Sequence, residues 1–194
     1  MIGNLHTVAL ISTDGTIDWY CSPRFDSPSM FAALLDANRG GHFALRPADG
    51  EWQNKQLYFP DTNVLITRFL TPGGVGEVQD FMPVGKVMGG AHRDRLIRRV
   101  VTVRGRMRFE LECAPRFDFG RERHRTERHA GGVLFESPGA RVALETEVSL
   151  EVCDGDVHAA FELEAGGSAT FILEHVPGEY EMRGGGPEET RQLA

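Results

Sequence analysis

Apolar and polar side chains alternate along most of the chain with the period of two that is typical of β-strands. In the segment RFELEC (108–113), for example, Phe, Leu and Cys fall on one side and both Glu residues on the other. The same alternation occurs in 141–152, 158–164 and 169–176. Strands with one apolar and one polar face are typical of antiparallel sheets that cover a core on one side only.

Short glycine-containing turns separate these segments, and two further segments, 63–70 and 98–105, are apolar enough to be central strands. Asp14-Gly15 lies between VALIS and TIDWY, which predicts a hairpin with a type I′ turn. The chain is therefore predicted to be all-β, as a large two-sheet antiparallel β-sandwich of the supersandwich kind over residues 1–183.

One short helix is predicted near residues 28–36, because Ser27 suits an N-cap and Pro28 the first helical position. Its apolar stripe would consist of Met30, Phe31, Leu34 and Leu35. Residues 184–194 read as a glycine hinge followed by the start of a linker helix.

Composition excludes several classes of function. The net charge of −7 argues against nucleic acid as a partner. No apolar run approaches the roughly 20 residues that span a membrane, and the start lacks the pattern of a signal peptide, so we expect a cytoplasmic protein. Cys21, Cys113 and Cys153 are widely spaced and are expected to be buried, reduced thiols.

No metal, nucleotide or nucleophile motif is complete. His124 and His129 are five residues apart among several arginines, which indicates a solvated loop or edge strand rather than a zinc site. Glycine pairs lack the strand–loop–helix context of a phosphate site, and GxSxG is absent. We therefore predict no cofactor and no metal, and no pair of carboxylates stands out as a catalytic acid and base.

The segment DWYCSPRFDSPSMF (18–31) is the densest cluster of candidate chemistry, and its PRFD tetrapeptide recurs at 115–118. One interpretation is structural: each Arg pairs with a carboxylate, each Pro forms a turn, and Phe25 and Phe117 enter the core. The other is that Trp19, Arg24 and Asp26 line a sugar-sized cleft, since aromatic platforms and polar groups together bind carbohydrate.

At the level of whole motifs the chain resembles the N-terminal domain of the bacterial trehalase/glucoamylase-like proteins of glycoside hydrolase family 15. The resemblance rests on GNLHTVALISTDGTIDWYCSPRFDSPSMFAALLD (3–36), RGGHFALRP (39–47), NVLITRF (63–69), EVQDFMP (77–83), LIRRVVTVRG (96–105) and CAPRFDFGR (113–121). The family often has Tyr where Phe119 stands, so a hydroxyl contact would be missing there.

The resemblance implies an N-terminal β-sandwich followed by a linker and an (α/α)₆ barrel that carries both catalytic Glu residues. No catalytic residue can then be assigned here, and the chain alone is expected to be inactive. It would pack on the barrel, with Asp18, Trp19, Arg24 and Asp26 as candidates for the active-site rim. The uncovered surface could also join two copies of the chain. The alternative is a stand-alone carbohydrate-binding module.

Overall fold

The alternating segments of the sequence form β-strands in the computed structural model, which describes residues 1–48, 50–84 and 95–176. Within these ranges the elements are β1 (Ile2–Gly3), β2 (Val8–Ile11), β3 (Ile17–Cys21), β4 (Ser29–Phe31), β5 (His42–Pro47), β6 (Gln53–Tyr58), β7 (Leu65–Thr71), β8 (Gly74–Phe81), β9 (Arg95–Ala114), α1 (Phe117–Gly120), β10 (Arg125–His129), β11 (Gly132–Glu136), β12 (Arg141–Glu145), β13 (Glu151–Cys153), β14 (Asp156–Glu164) and β15 (Ser168–His175). The predicted all-β, antiparallel class is confirmed.

The 20-residue strand β9 connects the two halves of the fold. Its first half, up to Gly105, pairs with β8 and β15, and its second half pairs with β5 and β14. Gly105 marks the junction and has a left-handed backbone, which glycine adopts without steric cost. All fifteen strands are thereby hydrogen-bonded into one antiparallel sheet.

The two halves of this sheet form two layers that share one core. The first layer contains β1 to β5, β13, β14 and the second half of β9, and the second layer contains the remaining strands. A single cluster of buried side chains draws on both layers. Phe161 of β14 and Phe171 of β15, for example, have ring centroids 5.6 Å apart. In RFELEC the predicted faces are confirmed, with Phe109, Leu111 and Cys113 buried.

The helix predicted near residues 28–36 is wrong. Ser29–Phe31 forms β4, which pairs with β3, and turns follow it. Ser27 does not cap a helix; its hydroxyl accepts a hydrogen bond from the Arg24 N–H, at 3.1 Å. Leu34 and Leu35, expected on a buried stripe, are 60% and 68% exposed. Pairing with β3 has overridden the local helix signals.

Three smaller predictions also need correction. The Asp14-Gly15 hairpin exists, but only Gly15 has a left-handed backbone, whereas a type I′ turn needs it at both central residues. The segment 141–152 is two strands, β12 in the second layer and β13 in the first. The cysteines are free thiols, yet Cys153 is exposed while the other two are buried.

The C-terminal end of the chain cannot be compared with the structure. The glycine hinge and linker helix at 184–194 lie beyond the described residues, so the domain boundary at 183 remains a prediction. Among the residues that are described, no helix is long and apolar enough to span a membrane.

Candidate functional site

The segment 18–31 lies at the end of the first layer where β3 and β9 both end. Asp18 and Trp19 belong to β3, whereas Arg24 and Asp26 lie in the loop between β3 and β4. Arg24 and Asp26 pair with each other, Nε to Oδ1 at 3.1 Å, and both side chains are exposed. The structure therefore brings the four predicted residues to one region but divides them into two pairs with separate contacts.

Trp19 contributes to an aromatic stack that the sequence did not predict. Its ring centroid is 6.1 Å from that of Phe119, and the Arg121 guanidinium lies 5.5 Å from the centroid of the Phe119 ring. Phe119 is held in place because its N–H donates to Ser29 Oγ, at 3.1 Å. A partly buried indole beside an exposed phenyl ring offers an apolar platform, with a cation over the Phe119 ring.

Asp18 occupies an irregularity in the β2–β3 pairing. Leu10 pairs with Trp19 and Ile11 with Ile17, so Asp18 has no residue opposite it. Burial raises the pKa of Asp18, and the nearby charge of Asp14 raises it further. A hydrogen bond with Ser12 and the proximity of His42 oppose that rise.

Asp14 has the opposite tendency. Burial disfavours its charge, but hydrogen bonds from Ser12 and Thr16 and the charge of Arg46 outweigh burial and lower the pKa of Asp14. The Thr16 N–H donates to Asp14 Oδ1 at 3.0 Å, and Arg46 lies 3.6 Å from Oδ2. Asp14 is thus an ionised turn residue whose oxygens are already engaged.

The second PRFD copy confirms one part of the structural interpretation and corrects another. Arg116 makes a two-pronged ion pair with Asp156, at 2.5 and 2.8 Å, which fixes the chain as it leaves β9. Phe117 is buried as predicted. Phe25, predicted to be its equivalent, is 69% exposed. Among the described residues, Arg24 of the first copy pairs with Asp26 two residues away rather than with a carboxylate of another strand.

A small cavity of about 110 Å³ lies behind this loop. Its walls come from both layers: Ser22, Pro28 and Asp118 from the first, and Ala140 and His175 from the second. The described chain ends one residue later at Val176, whose N–H donates to Arg141 O at 3.0 Å. The polypeptide therefore leaves the described fold next to segment 18–31.

The described residues contain no group of three His, Cys, Asp or Glu side chains that could hold a metal ion. His124 and His129 lie at either end of the edge strand β10, as expected for the structural interpretation. The His124 ring packs edge-on against the rings of Phe117 and Phe135.

Comparison with known proteins places this fold in a family. The family described as "Trehalase-like, N-terminal" matches residues 1–190. The trehalase of Thermoplasma acidophilum is 31% identical over 165 residues, which are 84% of this chain and 28% of that protein. Trehalase 1 of Sulfolobus acidocaldarius is 36% identical over 143 residues, 74% of this chain and 23% of that protein. The trehalase of Mycobacterium tuberculosis is 32% identical over 134 residues, 62% and 20% respectively.

This chain thus spans less than a third of the length of the curated relatives it matches. The resemblance found in its motifs is confirmed. The chain belongs to the trehalase-like N-terminal domain family.

Proposed function

We propose that this chain is the non-catalytic N-terminal domain of a glycoside hydrolase that cleaves trehalose or a related α-glucan. In this proposal it packs on an (α/α)₆ barrel of the same polypeptide, which carries the catalytic Glu residues. The observation that carries the proposal is the coverage: relatives named trehalase match most of this chain, while the match is at most 28% of their own length. The greater part of those enzymes lies outside the matched region.

The carboxylates near segment 18–31 support a non-catalytic role. Inverting hydrolysis needs one carboxyl group that donates a proton and one carboxylate that activates water. Asp26 pairs with Arg24, Asp118 with Arg121 at 2.8 Å, and Asp156 with Arg116. Such ion pairs occupy the carboxylate oxygens, which suits loop positioning better than proton transfer.

The Trp19–Phe119 stack and Asp18 support a place at the rim of the barrel's active site. Apolar sugar faces stack on aromatic rings, and sugar hydroxyls need polar groups beside those rings. Trp19 provides the platform, and Asp18 precedes it on the same strand, at a bulge. Arg24 and Asp26 complete the rim as an exposed, mutually paired charge group.

The test is hydrolysis by the purified 194-residue chain compared with the longer protein that contains it. We expect no glucose release from trehalose, maltose or starch by the isolated chain, and release from at least one of them by the longer protein. Turnover by the isolated chain that persists through purification to homogeneity would overturn the proposal. A reading frame that ends at Ala194 would do the same.

The half-exposed Trp19–Phe119 stack also favours a second candidate, a carbohydrate-binding module that works alone. Fluorescence titration with trehalose and maltodextrins distinguishes the two. The chain has two Trp residues, and Trp52 packs edge-on against Phe69. A Trp52→Phe background therefore leaves Trp19 as the single indole. Saturable millimolar binding would favour the module if Trp19→Ala, followed by calorimetry because this variant lacks the reporting indole, no longer binds. No response of the Trp52→Phe chain would favour the domain role.

A further inference from the structure

Five large apolar side chains project into solvent at the end of the first layer. We name this set the apolar corner; it consists of Leu5, Phe25, Leu34, Leu35 and Phe119. Their exposed fractions run from 42% for Phe119 to 92% for Leu5. Single exposed apolar residues are ordinary, but several in adjoining loops mark a surface that another polypeptide covers.

Hydrogen bonds tie the loops of the apolar corner to one another and to β3. The Phe25 N–H donates to His6 O at 3.0 Å, which joins the loop carrying Leu5 to the loop carrying Phe25. The Leu34 N–H donates to Asp18 O at 3.1 Å. The Phe119 ring contacts the Trp19 ring, and Trp19 belongs to β3, the strand whose Asp18 O accepts the Leu34 N–H. The side chains are therefore presented from a fixed framework.

The backbone of the apolar corner is held in unfavourable conformations. Leu5, Asp118 and Phe119 all have left-handed φ values, of 74°, 49° and 57°. Residues with a Cβ rarely adopt this region, and such strain concentrates at sites whose geometry serves function. Two of the three are apolar and exposed, so burial of their own side chains does not compensate for the strain.

The chain leaves the described fold at the same end. His175 lines a cavity together with Ser22, Pro28 and Asp118, and the described chain ends at Val176. The relatives have more than twice the matched length outside the matched region. Polypeptide that continues from Val176 can reach the apolar corner without crossing the sandwich.

We propose that the apolar corner is the surface on which the catalytic part of the same polypeptide docks. This inference rests on the proposed function and names the surface within it. The occupant is the polypeptide C-terminal to this domain, presenting an apolar patch of its own. Docking there places Trp19 and Asp18 at the edge of the contact, where they can face a cleft between the two parts.

Hydroxyl-radical footprinting of the longer protein tests the inference, because Leu and Phe side chains are oxidised in proportion to their exposure. We expect oxidation of Leu34, Leu35 and Phe119 to fall at least threefold in the longer protein relative to the 194-residue chain. Leu70 and Val103 are exposed elsewhere, on β7 and β9, and serve as internal controls that should change less than twofold.

Tyr58 and Phe59 form a rival patch near the N-terminus, where the Tyr58 hydroxyl donates to Met1 O. Protection of these two residues with none at the apolar corner would overturn the inference. Equal oxidation of the corner in both proteins would also overturn it. Trehalase activity, measured on the same samples, reports on the proposed function separately, since an active longer protein with an unprotected corner rejects the docking surface alone.

A double variant, Leu34→Asp with Leu35→Asp, separates docking from folding. Both side chains are exposed, so the 194-residue chain should keep its unfolding midpoint. In the longer protein the variant should restore oxidation of Phe119 to the level of the isolated chain. Val103→Asp is the matched control and should leave the protection of Phe119 intact. Persistent protection of Phe119 in the double variant would contradict the inference.

Discussion

The Arg98 guanidinium connects the two layers from inside the core. Arg98 and Asp80 are both 0% exposed, with Nε 2.8 Å from Oδ1. Arg98 also donates to the carbonyl oxygens of Phe43, at 2.5 Å, and Gly15, both in the first layer. It therefore fixes the Asp14-Gly15 turn relative to the second layer, and Asp18 follows that turn on β3.

We predict that Arg98→Met lowers the free energy of unfolding by about 3–5 kcal/mol, because it leaves the buried Asp80 carboxyl without its counter-ion and hydrogen-bond donor. Urea denaturation measures the loss. Arg98→Met combined with Asp80→Leu should recover much of it, since no unpaired carboxyl remains in the core. The exposed pair gives the control: Arg24→Ala should cost less than about 1 kcal/mol. A double variant as unstable as Arg98→Met would contradict this account.

Arg98 shows what the sequence signals and what it hides. In LIRRVVTV, Arg98 lies two residues after Leu96 and two before Val100. The period of two therefore puts it on the same face as these two apolar side chains. The pattern alone indicates a buried arginine, but its partner Asp80 lies 18 residues away and comes from another strand. Phe119 is harder still, because its place beside Trp19 depends on a turn whose left-handed backbone no local motif specifies.

At the level of elements, alternation predicted the faces of RFELEC, but it did not predict the break within 141–152 or the strand β4. RFELEC needs only its own period to define its faces, and the structure agrees. Residues 28–36 carry both a helical stripe and a short strand, and local propensity favoured the helix. Pairing of Phe31 with Tyr20 and of Ser29 with Cys21 decides in favour of the strand, and these contacts are visible only once β3 is in place.

The junction in β9 provides the prediction at this scale. Gly105 has φ +76°, and a Cβ there would collide with the carbonyl oxygen of Gly73. Gly166 has φ +86° but open space around it, so it isolates the cost of a left-handed alanine, about 1–2 kcal/mol. Gly105→Ala should therefore lose more than twice the unfolding free energy lost by Gly166→Ala in urea denaturation. Equal losses would mean that the β8–β9 junction relaxes without cost.

At the scale of the molecule, strands distant in sequence complete each layer. β9 pairs with strands from both ends of the described chain, so its pairing closes long loops in both directions. Folds dominated by such contacts assemble as one unit and slowly. Segment 18–31 and the apolar corner depend on this closure, because α1 and β4 are held by residues of β9 and the loop after it.

The strand β15 is the last described element, and among the described strands it alone links β9 to the unit of β10, β11 and β12 in the pairing order. It places Phe171 in the core, and its Glu174 forms a buried ion pair with Arg95, at 2.5 Å.

We predict that a chain shortened to residues 1–166 lacks a cooperative unfolding transition and near-ultraviolet circular dichroism, because three strands lose their attachment to the sheet. Phe171→Leu in the 194-residue chain is the control for core volume and should keep a cooperative transition at a lower midpoint. If the shortened chain unfolded cooperatively at the original midpoint, β15 and the attachment of β10 to β12 that it provides would be dispensable for the fold.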